Sequence, residues 1–335
     1  MRLLAGLVAS APFVTVLRGD ASLSTRPMER VATPLRAMGA EVATDDGHPP
    51  VTIRGAHLTG LHFAPDVPSA QVKGAVLLAA LAAGGTTTVV EPVRTRDHTE
   101  RALAALGAPI EDGDAGVVLD GPFQHAGFGA KVPGDPSSAA FVLAAAALTG
   151  GEVTISGVGV NPSRLGFLDV LRRMGVEVEI ETHAHELGEP VGTMRLRSSS
   201  GLRPVRVSAD ELPLVIDEVP LLAALAAHAE GPSRFEGASE LRVKESDRLA
   251  ALVEGIRALG GAAQADGNDL DIGGGGLGGG AARSSGDHRI AMALTVAAVA
   301  AHAPSEIDGV EWAAVSFPGF LGLLRALGTD VVEAS

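Results

Sequence analysis

The chain has no cysteine and no tyrosine among its 335 residues, a single tryptophan, and only 3% aromatic side chains. Without cysteine there is no disulfide frame, no thiol nucleophile and no thiolate-held metal, which fits a cytoplasmic protein. So few aromatics leave little material for the stacking platforms that hold single-stranded nucleic acid. Hydrophobic residues still make up 46% of the chain, so the core has to be closely packed layers of Ala, Val and Leu. Cationic residues are scarce as well. Lys and Arg number 26 against 40 Asp and Glu, a net charge of −14, which argues against nucleic acid or an anionic membrane as a partner. An anionic small substrate must therefore be met by a local cluster of Arg and Lys. Apolar runs of membrane-spanning length are absent. Residues 1–10 resemble a short signal peptide, but the run is brief and Pro12 interrupts it.

Charge, where present, is concentrated. Glu240-Leu-Arg-Val-Lys-Glu-Ser-Asp-Arg248 packs three cations and three carboxylates into nine residues of an otherwise apolar chain. A second dense cluster, Asp287-His-Arg-Ile-Ala-Met292, follows downstream. Either one alone reads equally well as a helix start with exposed ion pairs. Two of them set inside an internal repeat point to a site that grips a small polyanion.

The repeat is the organising feature. Five segments (26–42, 97–110, 164–180, 246–264 and 317–332) share an amphipathic helix, a Met/Leu-Gly stop and a short strand. Apolar residues recur at i, i+3, i+4 and i+7, as for a helix packed on one face. The stops are Gly39, Gly107, Gly175, Gly260 and Gly328, spaced by 68, 68, 85 and 68 residues, and each is placed to end its helix with φ > 0. The long interval places an insertion near 181–210. A second series alternates with the first: nearly all-apolar helices starting at Met1, Ser69, Ser137, Asp217 and Asp287. Helices apolar all round belong in the interior. Each unit reads as strand, buried helix, strand, surface helix, strand, strand, and units of this length form compact lobes. Five units divide unevenly between two lobes. The breakers in Val132-Pro-Gly-Asp-Pro-Ser-Ser138 mark the junction, with Ser137 capping the next helix, giving lobes 1–133 and 134–335. The glycine-rich run 273–280 reads as a flexible turn, since it lacks the Gly-Lys-Ser/Thr of a phosphate loop.

Polar residues recur at the starts of the buried helices: Ser69 and Gln71, Ser137 and Ser138, Asp217 and Glu218, and Asp287, His288 and Arg289. Helix starts offer free N–H groups and a positive dipole end. Arg289 is disfavoured there by the same dipole, so an anion is expected beside it. Arg26, Arg96, Lys244, Arg248 and Arg289 together suit two phosphate-type groups and a carboxylate. Asp217 and Glu245, beside these cations, are the candidate proton carriers. Ten histidines form no metal-ligand spacing, so no catalytic metal is expected.

Taken together, Ser69-Ala-Gln-Val-Lys73, Thr95-Arg-Asp-His-Thr-Glu100, Pro133-Gly-Asp-Pro-Ser-Ser138, Arg242-Val-Lys-Glu-Ser-Asp-Arg248, Asp287-His-Arg-Ile-Ala-Met292 and Ser316-Phe-Pro318 closely resemble the 5-enolpyruvylshikimate-3-phosphate (EPSP) synthase family. The resemblance implies an α/β fold, a two-lobed inside-out α/β barrel of βαβαββ repeats, of which five of six are present. It implies transfer of the enolpyruvyl group of phosphoenolpyruvate to the 5-hydroxyl of shikimate 3-phosphate by addition and elimination, without metal or cofactor. Ser69, Ala70, Gln71, Arg96, Asp217 and Lys244 would then hold shikimate 3-phosphate. Arg26, Gln71, Arg248, His288 and Arg289 would hold phosphoenolpyruvate. Asp217 would accept the hydroxyl proton, and Glu245 would move protons at the enolpyruvyl methylene. The family's members are usually monomers and work with these small molecules alone. Against the family pattern, roughly 90 residues that would complete the repeat have no counterpart ahead of Met1, among them a Pro-Gly-Asp-Lys-Ser motif. The chain as it stands is therefore expected to be poorly stable and nearly inactive. Two rival readings follow from the same motifs: the sister enzyme that modifies UDP-N-acetylglucosamine, and a form that binds without turnover.

Overall fold

The structure, a computed structural model, describes residues 1–113, 116–197 and 201–332. The chain forms two compact units, one made of residues 1–131 and 185–189, the other of 132–184 and 190–335.

The first unit opens with α1 (Arg2–Val8), β1 (Val14–Leu17), α2 (Ala21–Ser24), α3 (Glu29–Ala37), β2 (Glu41–Asp45) and β3 (His48–Arg54). It continues through β4 (His62–Phe63), α4 (Ala70–Ala80), β5 (Gly85–Val89), α5 (His98–Ala105), β6 (Ile110–Gly113) and β7 (Gly116–Gly121). Its sheets run β1-β3-β2 and β4-β5-β7-β6. The second unit holds α6 (Pro136–Thr149), β8 (Val153–Gly159), α7 (Gly166–Arg173), β9 (Val178–Glu186) and β10 (Glu189–Leu196), the β9–β10 tip being counted with the first. Next come β11 (Arg206–Val207), α8 (Leu212–Val215), α9 (Val219–Ala226), β12 (Ser233–Phe235), α10 (Arg248–Ala258), β13 (Ala263–Asp266) and β14 (Asp269–Ile272). β15 (Ala281–Arg283), α11 (His288–Val299), β16 (Glu306–Asp308) and α12 (Phe320–Ala326) finish it. Its sheets run β8-β10-β9, β11-β12-β14-β13 and β15-β16.

The repeat is visible in the topology. Both four-stranded sheets have a parallel first pair, β4 with β5 and β11 with β12, followed by antiparallel pairings. Strand faces alternate as half-buried sheets require: in β3, Pro49, Val51 and Ile53 are buried. The five stop glycines, Gly39, Gly107, Gly175, Gly260 and Gly328, all take positive φ, from 78 to 115°. The longer interval is used by β9 and β10, nine and eight residues long, where β13 and β14 have four each. Positions 198–200 of the expected insertion lie outside the described residues.

The all-apolar helices form the interiors. In the second unit α6, α9 and α11 pack on one another; every residue of α9 is buried, as is the stretch Ile290 to Ala297 of α11. Phe141, Phe167, Phe235 and Phe320 fill that core and are at most 2% exposed; burying such a side chain contributes about 1.5–3 kcal/mol. In the first unit α4 is the central helix, with Val72, Ala75, Val76 and Leu77 buried.

Three expectations need correction. The helix at Met1 is not buried all round. Its Ala5 and Gly6 face packs on α4, so closely that a Cβ at Gly6 would sit 2.0 Å from the Ala75 carbonyl oxygen. Leu3, Leu4 and Leu7 remain 42–55% exposed. Ser137 does not cap α6. Asp135 does, accepting from the Ser138 N–H at 2.9 Å, while Pro136 takes the first helical position, where its missing N–H costs nothing. The glycine-rich run is pinned and not a free turn. Gly275, Gly276 and Gly279 donate to the carbonyls of Ala229, Ala227 and Leu259 at 2.8–3.0 Å. Gly274, at φ 73°, has room for no side chain, with the Gly231 oxygen 2.4 Å from where a Cβ would be.

Candidate active site

In the second unit the clustered charges meet at the starts of α9, α10 and α11. Asp247 caps α10, accepting from the Ala250 N–H at 3.0 Å. This places Arg248 in the first turn, 1% exposed. Its Nε donates to Asp287 Oδ2 at 2.7 Å and its Nη2 to Glu245 Oε2 at 2.6 Å. Asp287, wholly buried, also caps α11 by accepting from the Arg289 N–H at 2.8 Å. Burial works to raise the Asp287 pKa, but Arg248 and the Arg289 amide outweigh it, and the carboxylate is held below its ordinary range. Beside it, burial lowers the His288 imidazole, with Asp287 opposing.

Asp217 lies between two cations. Lys244 Nζ is 3.7 Å from Oδ1, and Arg289 Nη2 is 3.9 Å from Oδ2. Arg289 Nη1 also donates to the Asp217 carbonyl at 2.7 Å. The anion expected beside Arg289 is thus supplied by the protein: Asp217, Glu218 at 3.8 Å and the capping Asp287. Asp217 lies before α9 and is not its cap; the cap position is Glu218, whose side chain makes no capping bond.

Glu218 was legible only as a helix-start residue. It is buried, and burial pushes its pKa up against the opposing pull of Arg289 and Ser137. Ser137 donates its hydroxyl to Glu218 and accepts from Arg164 Nη2 at 2.8 Å, while Arg164 also donates to Asp135 at 2.8 Å. No motif or charge cluster singled out Arg164. Its only signal was its place at the start of a repeat segment.

In the first unit, Ser69 caps α4, its hydroxyl accepting from the Val72 N–H at 3.4 Å. Ala70 and Gln71 form the first turn. Gln71 and Arg26 line one cavity of about 360 Å³. Arg96 lies just before α5, on a segment held from below by Lys73. That lysine, 2% exposed, pairs with Glu91 at 2.6 Å and with Glu100, and Glu91 also accepts from the Thr95 hydroxyl. Of the residues expected at the site, Ser69, Ala70, Gln71, Arg26 and Arg96 belong to this unit. Asp217, Lys244, Glu245, Arg248, His288 and Arg289 belong to the second.

Among the described residues, one group offers three ligand atoms within 4.8 Å of one another: Asp97, His98 and Glu189. Its members already pair, His98 Nδ1 with Glu189 at 2.8 Å and Asp97 with Arg101 at 2.8 Å. No helix among the described residues is long and apolar enough to cross a membrane.

The family model for EPSP synthase (3-phosphoshikimate 1-carboxyvinyltransferase) matches residues 1–324. This chain belongs to the EPSP synthase family. It is 49% identical over 335 residues to the 3-phosphoshikimate 1-carboxyvinyltransferase of Halorhodospira halophila, an alignment covering 99% of this chain and 75% of that protein. It is 50% identical to the protein of the same name from Thermus thermophilus, over 97% of this chain and 77% of the relative. Among solved structures, EPSP synthase from Acinetobacter baumannii superposes with a TM-score of 0.88 at 41% identity, over 98% of this chain and 77% of that one. The enolpyruvyl transferase NikO of Streptomyces tendae, at 24% identity and a TM-score of 0.77, shares the fold. The EPSP synthase fold thus accounts for both the repeats and the buried all-apolar helices.

Proposed function

We propose that this chain transfers the enolpyruvyl group of phosphoenolpyruvate to the 5-hydroxyl of shikimate 3-phosphate, releasing phosphate. The observation that carries the reading is Asp217, a carboxylate set between Lys244 and Arg289 at 3.7 and 3.9 Å. A base held between two cations suits a hydroxyl whose proton must leave while an anionic partner is bound alongside.

In this reading Asp217 accepts the proton of the 5-hydroxyl as its oxygen attacks C2 of phosphoenolpyruvate. Glu245, held by Arg248, delivers a proton to the methylene carbon, giving a tetrahedral adduct. Elimination returns a proton from the resulting methyl group and expels phosphate. Arg289, Arg248, Arg26 and His288 serve phosphoenolpyruvate. Ser69, Ala70, Gln71, Arg96 and Lys244 serve shikimate 3-phosphate, and Gln71 serves both. Arg248 would act largely through Glu245 and Asp287, since its guanidinium is already committed to them.

The test is phosphate release from the two substrates together. Release should require both and fall by roughly 10²–10⁴ in Asp217→Ala, the usual loss for a proton-transfer group. Release with UDP-N-acetylglucosamine in place of shikimate 3-phosphate would reassign the acceptor. Shikimate 3-phosphate binding with no release would make the chain a binding protein.

A further inference from the structure

The cavity of the first unit holds a residue that neither motif nor spacing singled out. Arg2, the first residue of α1, is half-buried and points two N–H groups at two different segments. Nη1 donates to Gln71 Oε1 at 3.0 Å, and Nη2 to the Pro27 carbonyl at 3.1 Å. Both partners matter for the site, because Gln71 and Arg26, the residue before Pro27, line the same cavity of about 360 Å³.

Hydrogen-bond accounting fixes what Gln71 can offer. A guanidinium has donors only, so the amide must turn its oxygen toward Arg2. The Nε2 group is then the end left for a ligand. Gln71 therefore presents two N–H donors, which suit an oxygen acceptor such as a hydroxyl or a phosphate oxygen, while one lone pair of its carbonyl is already taken by Arg2. Arg2 also lies near Arg26 and Arg30, and burial followed by these two like charges holds its pKa below the ordinary arginine value. A cavity with this excess of positive charge favours an anion.

We propose that Arg2 is a positioning residue of the substrate site: it locks the Gln71 amide with its N–H groups toward bound shikimate 3-phosphate and ties down the backbone beside Arg26. This rests on the function proposed above. An Arg is suited to the task because its planar fork holds two acceptors at once, which the point charge of lysine does not.

Two measurements test it. The first is shikimate 3-phosphate affinity by titration calorimetry for the wild-type chain, Arg2→Ala, Gln71→Ala and the double variant. Arg2→Ala should weaken binding ~10-fold, the scale of one lost charge-assisted hydrogen bond, and Arg2→Lys should recover only part of it. If Arg2 acts through Gln71, the double variant binds no worse than Gln71→Ala alone. Additive losses, or an unchanged affinity in Arg2→Ala, would overturn the role. The second is the side-chain amide resonance of Gln71 in the ligand-free protein, assigned by its disappearance in Gln71→Ala. It should shift and broaden in Arg2→Ala and in Arg2→Gln, with thermal unfolding confirming that each variant is folded. An unaltered signal would also overturn the role. Failure of the wild-type chain to bind shikimate 3-phosphate would instead sink the functional reading, and the amide signal would still decide whether Arg2 orients Gln71.

Discussion

Arg248 and Asp287 form an ion pair with Nε and Oδ2 2.7 Å apart, the guanidinium side chain 1% exposed and the carboxylate side chain 0%. The pair joins the first turn of α10 to the cap of α11. It therefore fixes the two charged clusters of the sequence against each other. Buried charges of this kind are retained at a desolvation cost, and removing one partner leaves the other stranded.

Arg248→Met should accordingly destabilise the chain by about 3–5 kcal/mol, the range for breaking a buried pair. Arg248→Met combined with Asp287→Asn should recover part of that loss, because an Asn can still cap α11. Urea unfolding of the wild type and the two variants measures this. Equal stability of the single and double variants would show that the stranded charge is not the cause.

Burial pushes the Glu218 carboxyl up, with Arg289 and Ser137 opposing. A raised folded-state value means that the folded protein holds its proton longer than the unfolded chain does. The associated stability is fully present below the ordinary glutamate value, near ~4.3, and is lost as pH rises through the folded value. Glu218→Gln removes that dependence. Thermal midpoints should show the variant gaining on the wild type at pH 8 and not at pH 4. A constant difference across that range would contradict the assignment.

His228 gives the opposite slope. Burial lowers its pKa, against the hydrogen bond from Nε2 to the Ala297 carbonyl at 2.9 Å, and His302 adds a like charge nearby. The unfolded chain takes up a proton near ~6.5, so the stability is present above that pH and is lost as pH falls through the folded value. His228→Gln keeps an N–H donor for Ala297 without the titration. Its unfolding midpoint should fall less than the wild type's between pH 7 and pH 5. Parallel curves would rule His228 out as the source.

Gly107 isolates backbone strain from packing. It takes φ 83°, and an added Cβ would meet nothing within 4 Å. Gly107→Ala should cost about 1–2 kcal/mol from the left-handed conformation alone. Gly116 has φ 108° and the Val89 carbonyl oxygen 2.4 Å from the Cβ position, so Gly116→Ala should cost distinctly more by the same unfolding assay.

Gly107 also shows how the sequence carries its fold. A helix that must stop and turn needs positive φ, and only glycine takes it without penalty. Five such stops at near-constant spacing therefore announced the repeat, and helices apolar on every face announced the interiors. Residue type and period suffice for that, since both are local requirements. The pattern misjudged α1, because burial depends on what packs against a helix and not on its composition. It misjudged Ser137 as well. Asp135 is placed two residues earlier, ahead of a proline that fits the first helical position, and takes the cap, which releases the serine hydroxyl to bridge Arg164 and Glu218.

The sequence by itself determined the period, the buried helices, the stop glycines and the family motifs, because each rests on neighbours within a few turns of chain. Only the tertiary structure decided which charges face which. Arg248 meets Asp287 across 39 residues, Arg289 meets the Asp217 carbonyl across 72, and Arg2 meets Gln71 across 69. Such pairings depend on how helices stack in three dimensions, and no local period encodes them.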